Sequence, residues 1–592
     1  MLGSKKILIL GLLSAGLFGC GGGGDTSAPA APVSTTPTSQ ASSNTTNTNT
    51  SSNTTNSNNN TSNTNTVTTT PSAPVDLRTQ EIYAARFLNQ ATFGATRESI
   101  DEFITLGQEA WFERQISLPQ TMHLTYLENT TPDNDAMEIW RNHRMDAWFN
   151  IAVRGNDQLR QKVAYALSQI FVISDKSTFD NDHMQIANYY DMLGTHAFGN
   201  YRDLLEDVTL SPLMGIYLSM RGNEKPDLER NIRPDENYAR EVMQLFSIGL
   251  DELNIDGSYR LDNTGQRIQT YNQDIIKAYA HVFTGWNFAG TTEQTWYRFW
   301  RNYNTFQPME AVQAYHDKGE KRLLNDVVIP AGQTAEEDLA MALDSLFEHP
   351  NVGPFMAKRL IQHLVTSNPS PAYIRRVAQT FNDNGQGVRG DLQATIKAIL
   401  FDEEARADYD EQLAYFGKVK EPILKGIQLY RGLAAFTPSN VLEFGYPDWV
   451  FNQAPLSAPS VFNFYLSDHK PQGPLAEAGL SAPELSILTE NYVVRNSNFA
   501  AWTALWGHYR DEAYNPTELV VDFAYEATLL DDTDALLDHL DLMLLAGAMP
   551  DAMRPILEEV LSHTQNWDVE PAQRIADVAF LIAASPQFAV QR

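Results

Sequence analysis

Residues 21–75 constrain the fold most strongly, because they contain almost nothing that could enter a hydrophobic core. The segment consists almost entirely of Gly, Ser, Thr, Asn, Pro and Ala, and Asp25 is its only charged residue. Such a composition cannot bury enough apolar surface to offset the entropy lost on ordering. We therefore predict a disordered tether over residues 21–75 and a folded body over residues 76–592, with a sub-boundary near residues 440–482.

The first twenty residues have the organisation of a bacterial lipoprotein signal peptide. Lys5 and Lys6 precede an apolar run from Ile7 to Phe18, which is too short for an ordinary transmembrane span. The run leads into Leu-Phe-Gly-Cys at residues 17–20, which is typical of a lipobox. We predict a signal peptide over residues 1–20 with lipid attachment at Cys20. The alternative is a cleaved secretory signal in which the cysteine is incidental.

The surroundings of Cys20 predict where the protein is found. Cys20 is the only cysteine, so it cannot form an intramolecular disulfide, and lipid attachment accounts for it. By similarity to lipoproteins, Gly21 rather than Asp after the cysteine favours the outer membrane of a diderm bacterium. The expected location is the cell envelope, with the membrane as a partner through the lipid. A formal net charge of −30 argues against nucleic acid as a partner.

The remaining chain predicts a mainly α fold, a large multi-helix body with a short β-hairpin and irregular aromatic-rich loops. Apolar residues recur at helical spacing along most of residues 76–592, and one long helix is predicted from Gly417 to Phe436. Residues 257–271 alternate around Asn-Thr-Gly, which indicates the hairpin. Residues 296–308 and 445–483 are rich in aromatic residues without a clear period and predict ordered loops.

The most distinctive predicted helix lies within residues 231–251 and has one charged face and one apolar face. Pro234 suits the first helical position, and Gly249 can end the helix. At about 100° per residue, one side carries the polar residues Glu236, Asn237, Arg240, Glu241, Gln244 and Ser247. Because residues four apart are neighbours on a helix, the pairs Glu236–Arg240 and Asn237–Glu241 are expected to bond. The face is either a functional site or a polar network that holds helices together, and both interpretations stay open.

Two further groups of acid–base residues follow this helix. Asp274 and His281 are seven residues apart on a helix that Asn272 is expected to cap, so they return to nearly the same face. The loop at residues 316–321 adds His316 and Lys321 around a glycine. Carboxylates and imidazoles can exchange protons or hold a divalent metal ion, and they can equally form an ordinary polar seam. The candidate catalytic residues are Glu236, Arg240, Glu241, Asp274, His281, His316 and Lys321, with a divalent metal as candidate cofactor.

Several segments resemble a large family of exported bacterial proteins, catalogued as the domain of unknown function numbered 1800. The resembling segments are A-A-R-F-L-N-Q-A-T-F-G-A-T (84–96), Q-L-R-Q-K-V-A-Y-A-L-S-Q-I-F-V-I-S (158–174), E-N-Y-A-R-E-V-M-Q-L-F-S-I-G-L (236–250), D-I-I-K-A-Y-A-H-V-F-T-G-W (274–286), H-D-K-G-E-K (316–321), A-P-S-V-F-N-F-Y (458–465) and S-P-Q-F-A-V-Q-R (585–592). The resemblance covers nearly everything after the tether. It implies no particular chemistry. Members of this family are often encoded beside a second exported family that resembles sulfatases and phosphatases. By analogy, such a protein is a candidate partner.

Common catalytic motifs are absent from the sequence. There is no P-loop, no G-x-S-x-G, no C-x-x-C and no H-E-x-x-H. The sequence leaves three classes of function: an exported enzyme with a carboxylate and histidine cleft acting on extracellular material, a non-catalytic surface binding or scaffold lipoprotein that works with a second exported protein, and a carbohydrate-binding module that uses the aromatic segments.

Replacing Cys20 with Ser tests the predicted anchor. The substitution removes the thiol that the lipid would modify, so the protein should move from the detergent-extracted membrane fraction to the soluble fraction. Fractionation of cells followed by detergent phase partitioning measures this. Unchanged partitioning of Cys20→Ser would show that the anchor lies elsewhere.

Overall fold

The computed structural model describes residues 76–130, 138–179, 181–298, 303–409, 414–509, 517–567 and 569–592. The predictions for Cys20, the signal peptide and the tether lie outside the described residues, as do residues 299–302 of the first aromatic-rich loop. Pro74–Arg592 forms one compact unit, and the sub-boundary near residues 440–482 stays a prediction. Within the described residues, no helix is both long enough and apolar enough to cross a membrane.

The fold is mainly α, as the sequence predicts. The helices of the first part are α1 Leu77–Ala91, α2 Arg97–Leu106, α3 Gln108–Ser117, α4 His123–Thr130, α5 Arg141–Arg154, α6 Gln158–Ser168, α7 His183–Thr195, α8 Tyr201–Leu210 and α9 Pro212–Tyr217. The central helices are α10 Asn237–Glu241, α11 Gln273–Val282, α12 Ala335–Phe347, α13 Val352–Leu364, α14 Pro371–Asn382, α15 Leu392–Leu400 and α16 Glu403–Arg406. The last part contains α17 Pro422–Gly432, α18 Pro447–Phe451, α19 Pro474–Glu477, α20 Glu490–Ala504, α21 Ala524–Ala527, α22 Thr533–Leu540, α23 Arg554–Asn566 and α24 Pro571–Ala583.

Capping residues explain where several helices begin. The Asp76 side chain accepts a hydrogen bond from the Thr79 amide and starts α1. Thr334 and Glu337 form a capping box at the start of α12. Asn272 accepts from the amides of residues 274 and 275 and starts α11, which confirms the predicted cap.

The described residues contain three short antiparallel strand pairs, of which the last joins distant parts of the chain. Strands β1 Trp286–Asn287 and β2 Glu310–Ala311 pair, as do β3 Lys321–Arg322 with β4 Val328–Ile329 and β5 Lys418–Val419 with β6 Val590–Gln591. In the last pair, Lys418 lies opposite Gln591. Gly417, just before β5, has a φ of 111° and lies so close to the Gln591 carbonyl that a Cβ would clash, so this approach requires glycine.

The predicted hairpin is present as a ribbon of isolated antiparallel bridges. Asp251 pairs with Gln269, Leu253 with Tyr259, and Leu261 with Arg267. The turn at residues 262–266 closes on the Asp262 carboxylate, which accepts hydrogen bonds from the amides of residues 264 and 266. The ribbon therefore begins before residue 257, because its first paired residue is Asp251, shortly after the central helix.

A single large hydrophobic cluster occupies the middle of the body. It includes fully buried aromatic side chains from distant segments, among them Phe87, Trp111, Tyr201, Phe246 and Tyr373. Burying one such ring contributes about 1.5 to 3 kcal/mol relative to leaving it exposed. Burial of these side chains thus offsets the free-energy cost of burying polar groups elsewhere in the body.

The central helix is shorter and less regular than predicted. Its α-helical part, Asn237–Glu241, continues as a π-helix over Val242–Ser247. Pro234 precedes the helix instead of occupying its first turn, whereas Gly249 follows the helix with a φ of 72°. Ser247, expected on the polar face, is fully buried and donates to the Val242 carbonyl at 2.5 Å. The wider π-type turn explains this difference, because it shifts the residues that follow relative to a regular helical wheel.

Removing the predicted tether should leave the stability of the body unchanged. A protein starting at Pro74 keeps the Asp76 cap of α1 and should unfold cooperatively at the temperature of the longer chain. A protein starting at Leu77 lacks the cap and should lose about 1 kcal/mol. Thermal melts followed by circular dichroism compare the three, and a large loss in the Pro74 variant would mean that the body begins earlier.

Candidate functional site

The charged face of the central helix forms a small, half-exposed network. Glu236 and Arg240 make the expected ion pair at 3.3 Å. Gln273, the first residue of α11, donates to the Glu236 carboxylate at 2.7 Å. These contacts join α10 to the start of α11, which is what a bracing contact between two helices requires.

Glu241 lies apart from this network. Its side chain is buried, and its Oε2 atom has no hydrogen-bond partner among the described residues. The expected bond with Asn237 is not among the contacts of the described chain, in which the backbone N–H of Asn237 donates to the Asp235 carboxylate at 2.8 Å. Burial raises the pKa of Glu241, and it also raises the pKa of the neighbouring Tyr271 to about 12.

His316 and Lys321 meet inside the body, although they come from a loop. His316 Nε2 lies 3.0 Å from Asp338, a residue of α12, and Nδ1 lies 2.9 Å from the Thr284 carbonyl. Lys321 Nζ donates to the same Asp338 carboxylate at 2.7 Å and to the carbonyls of residues 317 and 319. All three donors of the ammonium are therefore satisfied. A buried lysine with every donor used holds the loop in place and has nothing left to offer a substrate.

His281 pairs with a loop residue instead of with Asp274. Its Nδ1 atom contacts the Asp317 carboxylate, and this hydrogen bond is the main reason that the pKa of Asp317 falls to about 2. The His281 side chain is 32% exposed, so the dyad lies at the surface. Asp274, by contrast, has a side chain that is 90% exposed and lies 3.7 Å from Lys277. The predicted Asp274 and His281 pair is therefore not formed.

The predicted catalytic residues fall into separate groups. Gln273 and His281 lie at opposite ends of α11, and eight residues of helix span about 12 Å. The Glu236 network is at one end and the His281 and His316 contacts are at the other. Across the described residues, no group of three or more His, Cys, Asp or Glu side chains could hold a metal ion.

A different buried cluster, which the sequence did not reveal, centres on Glu421. The Glu421 side chain is fully buried and accepts hydrogen bonds from Tyr165 at 2.7 Å, Gln169 at 3.0 Å and Gln453 at 2.5 Å. Burial alone would raise the pKa of this carboxyl group, but the charge of Lys418 and the hydrogen bonds from Tyr165 and Gln169 lower it overall. Glu421 is therefore a buried, ionised carboxylate.

Lys418 is the cation that compensates the acids of this cluster. Its Nζ atom lies 3.2 Å from Glu484 and 4.0 Å from Glu421. It also donates to the carbonyls of residues 362 and 363 at 2.9 and 3.0 Å. Like Lys321, Lys418 has polar partners on all sides.

Three further lysines reach this region without an acidic partner. Within the described residues, the amines of Lys162, Lys420 and Lys425 make no hydrogen bond or ion pair. They lie against aromatic rings instead: the Lys420 and Lys425 amines are 4.5 and 5.6 Å from the Phe588 ring centre, and the Lys162 amine is 5.6 Å from that of Phe93.

The pKa of each of these amines is lowered, chiefly by burial. The pKa of Lys162 falls to about 7 and that of Lys425 to about 8. The pKa of Lys420 falls well below its ordinary value, because burial is reinforced by the charges of Lys425 and Lys162. Burial and the charges of the neighbouring lysines thus favour the neutral form of the Lys420 amine, which has an available lone pair.

Lys420 lines two adjoining cavities. The larger, of about 380 Å³, is also lined by Asn89, Tyr409, Leu544, Gln587 and Arg592. Its lining residues Gln587 and Arg592 are exposed, whereas Leu544 is fully buried, so the cavity leads from the surface to the buried amine. The smaller, of about 10 Å³, also touches Lys162, His363, Lys418 and Glu421 and is at the lower limit for one water molecule.

The sequence carried one signal for this site, in the run Lys418-Val-Lys-Glu421. A helix was predicted from Gly417, but the chain forms strand β5 there, and helix α17 begins only at Pro422. Proline at the first helical position marks this boundary. In an extended segment Lys418 and Lys420 project to the same side, which a helical interpretation does not bring out.

Asp338→Asn and Glu241→Gln compare a bracing carboxylate with an isolated one. Asp338 balances Lys321, so Asp338→Asn should lower the free energy of unfolding by about 3 to 5 kcal/mol. Glu241 lacks a partner for Oε2, so Glu241→Gln should leave the free energy of unfolding at neutral pH unchanged or increase it. Chemical denaturation measures both.

The pH dependence supplies a control for Glu241. Its folded-state pKa lies above the ordinary value of 4.5, so the folded state disfavours ionisation. The stability of the unmodified protein should therefore fall relative to Glu241→Gln as the pH rises from about 4.5 through the raised pKa. Strong destabilisation by Glu241→Gln would instead show that Glu241 braces the fold.

The comparisons with known proteins agree on the family and are silent about chemistry. No curated protein matches the chain, and no solved structure matches it. The model of one family, described as "Protein of unknown function (DUF1800)", matches residues 86–590. That match includes α6, β5 and Lys420 and covers most of the chain, which therefore belongs to the DUF1800 family.

Proposed function

We propose that this protein is a lipid-anchored envelope protein that binds a small anionic compound in the cavity beside Lys420. The lipobox at residues 17–20 supports the anchor, and the polar composition of residues 21–75 suits a spacer between a membrane and the body. The proposal moves the candidate site from the carboxylate and histidine residues to the lysine cavity.

The observation that carries the proposal is the contrast between Lys321 and Lys420. Both side chains are buried, at 4% and 8% exposure. Lys321 uses all three donors on protein acceptors, whereas the Lys420 amine has no such partner in the described part of the chain. The Lys420 side chain is buried but borders the cavity, so a ligand in the cavity could supply the missing acceptor.

The balance of charge around the cavities favours an anion. When ionised, Lys162, Lys418, Lys420 and Lys425 supply four positive charges, while Glu421 and Glu484 supply two negative charges. Lys418 contacts both acids and contributes one of these positive charges. His363 adds no charge near neutral pH, because burial lowers its pKa to about 3. A bound carboxylate or phosphate group would favour the ionised forms of Lys162, Lys420 and Lys425, and these charges would then compensate its own.

The size of the larger cavity fits a small molecule. About 380 Å³ lies within the range of ligand sites in proteins, which runs from about 300 to 1,000 Å³. Asn89 and Gln587 add neutral polar side chains to the wall, and Leu544 adds an apolar one. Such a wall can orient a compound that has one anionic end.

Calorimetric titration tests the binding of anions. Lactate, pyruvate and inorganic phosphate, titrated separately, distinguish a carboxylate site from a phosphate site. Lys420→Met should weaken the binding of the preferred anion by at least about tenfold, because a charge-assisted hydrogen bond contributes about 1.5 to 3 kcal/mol. Lys277→Met is the matched control, because Lys277 is a surface lysine on α11 with a side chain that is 56% exposed.

Proton uptake provides a second measure in the same experiment. A bound anion raises the pKa of nearby amines, so binding near pH 8, the pKa of Lys425, should take up protons, and affinity should fall as the pH rises. Titration in two buffers with different ionisation enthalpies measures the uptake. If no anion binds, or if Lys420→Met binds as well as the unmodified protein, the cavity site is wrong and a scaffold role becomes the better explanation.

A further inference from the structure

We propose that Lys420 forms a covalent imine with the carbonyl group of a small carboxylate, such as a 2-oxo acid, in this cavity. The inference rests on the proposed function, because it names the class of anion and the reaction. Three observations lead to it: the position of the amine, the lack of an acid beside it and the cations around it.

The position of Lys420 suits a nucleophile. Strand β5 and the following residue are fixed against the end of the chain, since the Lys420 amide donates to the Ala589 carbonyl at 2.8 Å. The side chain passes over the Phe588 ring and reaches the boundary between the two cavities. The amine is thus held at one place on the wall, where a carbonyl carbon can approach it.

The surroundings of Lys420 keep its lone pair free. A carboxylate within bonding distance would hold the amine as an ammonium ion, which cannot attack a carbonyl group. The nearest buried acids are instead engaged elsewhere: Glu484 by Lys418, and Glu421 by Tyr165, Gln169 and Gln453. The neighbouring cations Lys162 and Lys425 further favour the neutral amine, as expected for a lysine that forms imines.

The same neighbours explain why the carbonyl compound would carry a carboxylate. Lys425 shares the Phe588 ring with Lys420, and Lys162 lines the smaller cavity. Arg592 lines the larger cavity together with Lys420, and its guanidinium group can hold a carboxylate there while Lys420 attacks the adjacent carbonyl carbon. A neutral aldehyde or ketone would lack this second contact and bind more weakly.

The reaction needs no further reagent. The lone pair of the Lys420 nitrogen forms a bond to the carbonyl carbon, and the carbonyl π electrons move to oxygen. Both hydrogens of the amine leave with that oxygen as water, so the products are a carbon–nitrogen double bond and one water molecule. Hydrolysis reverses the step and releases the compound.

Reduction with borohydride traps the imine as a stable secondary amine. Incubating the full protein with pyruvate and borohydride should add the mass of one reduced pyruvate adduct, and peptide mapping should place it on Lys420. Lactate has the carboxylate without the carbonyl group and should give no adduct. Acetone has the carbonyl group without the carboxylate and should give at least about tenfold less.

Mapping on the unmodified chain makes the result independent of whether a variant folds. Lys420→Arg, checked by a thermal melt, should lose the adduct while keeping a positive charge. Lys277→Arg, on the surface, should keep it. An adduct spread over many lysines, or absent from Lys420, overturns the proposal.

Separate outcomes distinguish the imine from the anion site. If lactate and pyruvate bind through Lys420 but no adduct forms, the anion site is supported and the imine proposal is overturned. A Lys420 adduct without measurable lactate binding supports the imine and overturns a general anion site. If no anion binds and no adduct forms, both proposals are overturned.

Discussion

The burial of Glu421 is the constraint on which the middle of the structure depends. A buried carboxylate is tolerated only when its oxygen atoms are bonded and its charge is compensated. Tyr165 and Gln169 reach Glu421 from α6 and the residue after it, Gln453 from the segment after α18, and Lys418 from β5. Because these groups come from distant parts of the sequence, the carboxylate is satisfied only when α6, α17 and the two segments have assembled. The acid thereby selects one arrangement of helices that a purely apolar core would specify less strictly.

The lysines of this chain show how buried charge can be sorted into bracing and functional groups. Lys321 and Lys418 have an acid and backbone carbonyls around them, so their burial is compensated within the protein. Lys420 has aromatic and cationic neighbours and a cavity. The same residue type therefore has opposite consequences, since a satisfied ammonium stabilises a fold and an unsatisfied amine is available to a ligand.

Of the contacts predicted within helices, Glu236–Arg240 forms, whereas Asn237–Glu241 and Asp274–His281 are not found among the described residues. The Glu236–Arg240 pair forms because helical residues four apart are neighbours, which the sequence states directly. The Asn237–Glu241 pair is not formed in the described residues, although both residues lie in the regular α-helical part, and Glu241 is instead buried with an unpartnered oxygen. His281 pairs with Asp317 and His316 pairs with Asp338. Both aspartates lie on other segments, so spacing along one helix could not identify them. The lysine cluster was missed because β5 is two residues long, too short to leave a periodic pattern.

Local physical chemistry determined the helical class, most caps and the hairpin turn, because these depend on residues within a few positions of one another. The composition of residues 21–75 and the lipobox are likewise properties of the sequence alone, and they predict the tether and the anchor. Only the tertiary structure decided which charges are compensated. The cluster brings together Lys162, Lys420 and Phe588, which are far apart in the sequence. Whether a buried lysine lies beside an acid or beside a cavity depends on how these distant segments pack. Burial and partner choice are long-range quantities, and for this reason the candidate site emerged from the folded chain and not from its motifs.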